Sequence, residues 1–352
     1  MKKFFKFLKF TFVSISAILA LAFFYIIISN KTFIGTVNKK NTDYLSLHKA
    51  DVTDSIPSTL FDDNFFNSDI FLFGEIHGYA DNQKLDKELF LYLNKKLNIK
   101  YYIAEMDSIN ADKLNLFLSK SIKDETLLKE VVIAIRKRIP QQSSIELYRK
   151  WAEIHDYNQR LADTAKIKVI GIDKSFVSDK STISRDSAMV QNLAKYIKIH
   201  HLKGEKFYGL FGFFHVLQQG KDTSSTPFAA KLKNSGLKIT SLISYPIDSE
   251  MYLPKNPQFP TPSDEKVNWI NADGPLMLVK GINDLKKLSQ PNSISLFKLN
   301  GQKSPYFASQ DLITVKSRIF GENITPSNTT FTTDYFQYVF LLRNSKALSK
   351  LN

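Results

Sequence analysis

The chain has 352 residues, 43% hydrophobic and 23% charged, with a formal net charge of +14. That length and apolar content can bury one large core or two small ones, and the absence of cysteine excludes disulfides, thiolate metal sites and a cysteine nucleophile. The excess lysines are scattered and no groove-reading motif accompanies them, so the charge reads as a solvated basic surface, with no nucleic-acid partner expected.

Four lysines, Lys2, Lys3, Lys6 and Lys9, precede "FTFVSISAILALAFFYIIIS" (10–29), which carries no charge. About 20 apolar residues are what a helix needs to cross a bilayer. The run ends in "IIISNKTF", which has no small-residue cleavage pattern. Residues 1–30 therefore read as a single-pass transmembrane signal-anchor, a cleaved signal being the alternative. The basic flank favours a cytoplasmic N-terminus and an extracytoplasmic C-terminal domain.

Residues 31–65 are polar without clean periodicity and read as a stalk and lead-in. From 66 to 352 short apolar runs alternate with amphipathic stretches. Strands are expected at 69–75, 100–106, 166–173, 206–212 and 237–246, with helices at 82–98, 110–139, 144–165, 184–201 and 227–236. That alternation defines an α/β domain with a mostly parallel sheet and helices on both faces. The proline-rich stretch from Pro246 to about Asp273 reads as a long loop acting as a lid or site wall. "GPLMLVKG" and "SISLFKL" are further strand-like runs, and "YFQYVFLLR" (335–343) reads as a last strand.

Two strands end in the same pattern: Gly74-Glu75-Ile76-His77 and Gly212-Phe213-Phe214-His215. Each is followed by a loop, a helix and a further strand. In open α/β sheets ligands bind beyond the carboxyl ends of the strands, and glycine would let the backbone turn there. Glu105 ends the second strand and Asp173 the third. A carboxylate at the end of a buried strand is costly unless paired or in use. Arg185, in the first turn of its helix, opposes the helix dipole, which suggests that a site carboxylate holds it. His155 reads as a boundary residue, His200 and His201 as helix-end residues and His48 as part of the lead-in; none is assigned chemistry.

At these residues the chain resembles the superfamily joining erythromycin esterases, ChaN-like haem-uptake proteins and Tiki/TraB-type proteases, over roughly Ile70 to Pro246. "FLFGEIHGYADNQ" followed by "YYIAEM" is similar to the ChaN-like opening. "RDSAMVQNL" followed by "GLFGFFHV" is similar to the R-D helix and second His-bearing strand of ChaN-like and erythromycin-esterase members. One residue, Ile76, separates Glu75 from His77 where the esterases have two. The resemblance implies two activities. One is hydrolysis; the other is haem binding through a tyrosine, for which Tyr79 stands nearest.

The expected function is a membrane-anchored hydrolase that cleaves an ester or peptide bond of a small-molecule or peptide substrate. Glu75 and His77 would activate water, as general base or by holding a divalent metal together with His215. His215 would polarise the carbonyl or protonate the leaving group. Glu105, with Asp173 beside it, would orient an imidazole, and Arg185 would anchor a carboxylate or a substrate anion. With no G-x-S-x-G, a serine acyl-enzyme is not expected. The alternatives are a protein binding haem or another ligand for uptake or sensing, with His or Tyr79 on iron, and an anchored interaction domain without activity.

Overall fold

Lys2–Ile34 forms helix α1, whose apolar side chains are largely exposed along its length and which is long and apolar enough to span a membrane. The structure, a computed structural model, describes residues 2–53, 55–177, 182–220, 226–256, 261–318 and 323–351. After α1 the chain forms helix α2 (Lys39–Leu47) and strand β1 (Lys49–Val52). The stretch expected as a stalk is therefore packed. Leu45 is buried, Asn41 donates to Asp284, and β1 pairs antiparallel with a later strand. Its polar composition hid this, because β1 is an edge strand and a single apolar stripe suffices to seat α2.

A short helix α3 (Asp63–Phe66) leads into β2 (Ile70–Glu75), then come α4 (Ala80–Leu97) and β3 (Tyr101–Ala104). The helical region expected over 110–139 is two helices, α5 (Ser108–Ser119) and α6 (Glu125–Ile135). Asp124 caps the second by accepting from the Leu127 amide, which makes 120–124 a corner. Next come α7 (Ile145–Gln159), β4 (Lys168–Gly171), α8 (Arg185–Ile199), β5 (Phe207–Gly212), α9 (Phe228–Asn234) and β6 (Ile239–Ile247).

The proline-rich loop carries a small ribbon, β7 (Met251–Tyr252) with β8 (Lys266–Val267), and its residues 257–260 lie outside the described residues. β9 (Met277–Val279) pairs with β11 (Val315–Ser317), a strand the sequence did not suggest. β10 (Ile294–Lys298) and β12 (Tyr338–Arg343) complete the main sheet.

The main sheet has eight strands in the order β1-β10-β12-β6-β2-β5-β3-β4. From β12 to β4 all neighbours are parallel; β1 and β10 add an antiparallel edge. Every residue of β2 and β5 is buried, which requires cover on both faces and explains why both read as unbroken apolar runs rather than alternating ones. The register places Glu75 opposite Gly212. The chain leaves β2 toward β3 and β4, whereas from β5 it crosses β2 to reach β6. The carboxyl ends of β2 and β5 thus lie where the crossings diverge, which is where such sheets open a crevice.

Candidate active site

Both glycines of the repeated pattern are contact positions rather than turns. Gly74 lies in extended strand, and a Cβ there would come within 2.3 Å of Val216 Cγ2. Its bare backbone lets the 3₁₀ turn Phe213–Val216, which carries His215, sit directly on β2. A Cβ on Gly212 would lie 3.1 Å from His77 Nε2 and 3.6 Å from His215 Cδ2. The two imidazoles therefore flank one glycine, although 138 positions separate them in the sequence.

Each imidazole has its own carboxylate. His77 Nδ1 donates to Glu75 Oε1 at 2.8 Å, and Gln142 Nε2 donates to the same oxygen at 2.5 Å. His215 Nδ1 donates to Asp186 Oδ1 at 2.7 Å, an oxygen that also accepts from the Phe228 amide. Both Nδ1 protons are thereby placed, which leaves Nε2 as the reactive nitrogen of each ring. His215 Nε2 lies 3.4 Å from Arg185 Nη1 and 3.6 Å from Glu105 Oε1, both too long to tie it up.

Arg185 joins the strand ends. Its Nε reaches both oxygens of Asp173 at 2.9 Å, and its Nη2 reaches Asp173 Oδ2 at 2.5 Å and Glu105 Oε1 at 2.6 Å. Glu105 Oε2 accepts from the Gly212 amide at 2.7 Å. The expectation that a site carboxylate holds Arg185 at its helix start agrees with this geometry. Protein carboxylates engage Nε and Nη2 of the guanidinium, and Nη1 faces His215 Nε2.

Burial lowers the proton affinity of His77, but its hydrogen bond to Glu75 and the charges of Glu75 and Glu105 outweigh burial and the opposing Arg185. Its pKa therefore lies above the ordinary histidine value. His215 behaves alike: burial lowers its pKa, and the Asp186 hydrogen bond with the Glu105 and Asp186 charges raises it further. Burial pushes Glu105 up, but His215, Arg185 and His77 hold its carboxyl below the usual range. Burial would also lower the pKa of Arg185, and its carboxylates more than reverse that.

Of these groups Glu75, His77, Glu105, Arg185, Gly212 and His215 form the floor of a cavity of about 290 Å³. Its walls are apolar: Phe213, Tyr245, Met251, Leu253, Ile270 and Met277 among them. The proline-rich loop supplies Met251, Leu253 and Ile270, in keeping with its reading as a site wall.

Tyr79 is not brought to this cavity. It is fully buried and donates its hydroxyl to the Ile270 carbonyl, so the haem ligand suggested by the resemblance is engaged elsewhere. Among the described residues no three His, Asp or Glu side chains are grouped to hold a metal ion. Glu75, His77 and His215 are not grouped in this way: Glu75 Oε1 is shared by Gln142 and His77 while Glu75 Oε2 is buried without a hydrogen-bond partner, and a guanidinium faces His215 Nε2. His155, expected at a boundary, is buried, with Nε2 on the Lys120 carbonyl. His48 bonds the Tyr44 carbonyl, and His200 caps the end of α8; none of the three lines the cavity.

Two site residues escaped the sequence reading. Asp186 adjoins Arg185 in the R-D pair, so both side chains leave the helix start together; that adjacency was the available signal. Gln142 comes from the 3₁₀ turn Pro140–Gln142, and nothing local to it marks a partner 67 positions away.

Fold and site together define an α/β protein with two carboxylate-held histidines over one strand-end cavity. No family model matches the sequence, and no curated protein matches it. Solved structures do resemble the fold. A Bacillus cereus protein superposes with a TM-score of 0.59 at 11% identity, covering 90% of this chain and 100% of its own. A succinoglycan biosynthesis protein superposes equally, at 0.59 and 13% identity, covering 90% and 99%. An erythromycin esterase in its open conformation is also among the structural neighbours, at 0.47 and 12% identity, covering 81% and 95%. At these identities the first two show a shared fold and nothing finer.

Proposed function

We propose that the protein is a membrane-anchored hydrolase, of the erythromycin-esterase-like superfamily, that cleaves ester or amide bonds with water activated by histidine. The observation that supports this best is the pair of imidazoles, each with Nδ1 held by a carboxylate and both rings beside Gly212 on the floor of one cavity. α1 serves as the anchor, with the α/β domain on the extracytoplasmic side.

In the proposed reaction His77 Nε2 takes a proton from water as the oxygen attacks the substrate's carbonyl carbon. Glu75 holds the resulting imidazolium in place. The oxyanion forms within reach of Arg185 Nη1, the guanidinium nitrogen that no carboxylate occupies among the described residues. His215, in its protonated form, then gives the Nε2 proton to the leaving oxygen or nitrogen as that atom's bond to the carbonyl carbon breaks and the carbonyl re-forms. His77 then returns its proton to solvent and His215 takes one up, which restores both rings for the next turnover. The proposed proton transfers use water and the two imidazoles alone.

A panel of para-nitrophenyl esters and peptide anilides tests this. Turnover by the full chain should persist with chelator present and fall by about 10²–10⁴ in kcat/KM in His77→Ala. Equal rates for wild type and His77→Ala across the panel would remove the hydrolase reading.

A further inference from the structure

The cavity and the apolar helix share a wall. β9 and β11 supply Met277, Val315 and Ser317 to the cavity, and Leu276 lines it just before β9. The same segments hold the end of α1. Asn30 Nδ2 donates to the Pro275 carbonyl, Arg318 Nη2 donates to Asn30 Oδ1 at 2.7 Å, and Gly281 donates its amide to the Ile34 carbonyl at 2.9 Å. Strand alternation makes the division explicit: Val315 and Ser317 face the cavity, while Lys316 between them lies over the Phe33 ring at 5.9 Å. One strand pair separates the site from the helix end.

The uncharged run of α1 ends at Ser29, and Asn30 already touches this wall. If 10–29 fill the hydrocarbon layer, the wall sits at the level of the lipid head groups. Two apolar residues that line the cavity, Phe214 and Leu276, are themselves partly exposed, Phe214 to 39%. Two carboxylates, Glu75 and Glu105, line the floor, and Asp173 and Asp186 lie behind it on Arg185 and His215, with the one guanidinium already paired to Glu105 and Asp173. The floor therefore disfavours an anionic group at the reacting carbon.

We propose that the substrate is a membrane-borne amphiphile, a neutral ester or amide with an apolar chain. It is taken from the protein's own bilayer past the β9–β11 wall, so that the chain fills the apolar cavity and the carbonyl reaches His77. This deepens, and rests on, the reading of the site as a hydrolase on a membrane anchor.

The test uses the full chain in phosphatidylcholine vesicles. Three presentations are compared: para-nitrophenyl acetate in water, para-nitrophenyl palmitate in the same vesicles, and the palmitate in separate vesicles. The palmitate in the protein's own bilayer should exceed the acetate at least about tenfold in kcat/KM, since binding energy from a remote chain can be spent at the reacting centre. The palmitate in separate vesicles should be turned over at least about tenfold more slowly than in the shared bilayer, by the same argument of access. Phe214→Asp and Leu276→Asp, at partly exposed positions that tolerate a charge, should each remove the palmitate advantage. Acetate turnover with no such advantage, or equal rates from both vesicle populations, overturns the proposal and leaves the hydrolase reading standing. If no ester is turned over, binding decides. Saturable uptake of a dansyl-labelled palmitoyl amide from the shared bilayer, seen by energy transfer from tryptophan and lost in Leu276→Asp, supports the amphiphile and retires the hydrolase. Absence of saturable uptake overturns both.

Discussion

The two histidine-bearing strand ends are built differently. At β2 the pair is local: Glu75 and His77 are two residues apart, and Glu75 is buried to 1% exposure under Gln142. At β5 the pair is assembled. His215 rides a 3₁₀ turn, and its carboxylate, Asp186, comes from the start of α8, where it also receives the Phe228 amide. Arg185 and Glu105 lie between them and are shared by both. The contrast teaches that a local pair can be rigid with few partners, whereas an assembled pair depends on the packing of α8 against the sheet.

Breaking the shared centre should cost most. Arg185→Leu leaves Glu105, with its side chain 3% exposed, without its guanidinium, and leaves Asp173, 0% exposed, with only Arg138 Nε, at 3.8 Å, among the described cations. Removing one partner of a buried ion pair costs about 3–5 kcal/mol, and urea unfolding should show a loss of that size. A change below 1 kcal/mol would mean that the pairing is not formed in solution.

Next come the individual pairs. Glu75→Gln and Asp186→Asn each keep the shape and remove the charge that orients an imidazole. Glu75→Gln should lower kcat/KM by about 10²-fold or more, because the base loses its partner. Asp186→Asn should cost less and act on the alkaline side. Losing the Asp186 charge lowers the His215 pKa, so the falling limb of the pH–rate profile moves to lower pH while the rising limb, set by His77, stays. Movement of both limbs together would show that the rings titrate as one unit.

Gly212→Ala is a finer probe. Its φ of −57° accepts any residue, so stability should change little. The new methyl, at 3.1 Å from His77 Nε2, must displace that ring by a few tenths of an ångström. A drop in kcat/KM of about tenfold is expected from misplacement of that kind, and unchanged kinetics would place the reacting centre elsewhere.

The smallest effect is the pH dependence of stability. His77 and His215 hold protons more tightly in the folded chain than free histidine does. Their contribution is complete below the unfolded value of about 6.5 and is lost as pH rises through the folded values. Glu105 acts oppositely: its carboxyl is depressed, so its contribution is present above the unfolded value of about 4.3 and is lost as pH falls through the folded value. Melting temperature should therefore decline above pH about 6.5, and less steeply in His77→Gln. A wild-type Tm flat across that range would contradict the raised histidines.

Much of the site was legible because it follows from strand geometry. A buried parallel strand needs an unbroken apolar run, so the polar residues that end it, such as Glu75 in "FLFGE" and Asp173 in "VIGID", must lie at the sheet's edge. The ends of the apolar runs and the repeated Gly-x-x-His pattern singled out Glu75, His77, Glu105, Asp173 and His215 as candidates, and the dipole argument added Arg185. The roles of Gly74 and Gly212 were misread, because close approach to Val216 or to two rings is invisible until the partners are placed.

The chain's own order of residues determined the apolar N-terminal helix, the alternation that makes an α/β sheet and the polar groups at its strand ends, since each follows from local hydrogen bonding and the burial of a periodic face. Only the tertiary structure decided which carboxylate holds which imidazole, that Gln142 covers Glu75, that Tyr79 turns away, and that β9 pairs with the unforeseen β11 to separate the cavity from the end of α1. Those outcomes depend on contacts between residues far apart in the chain, and no local pattern encodes which distant surfaces will meet.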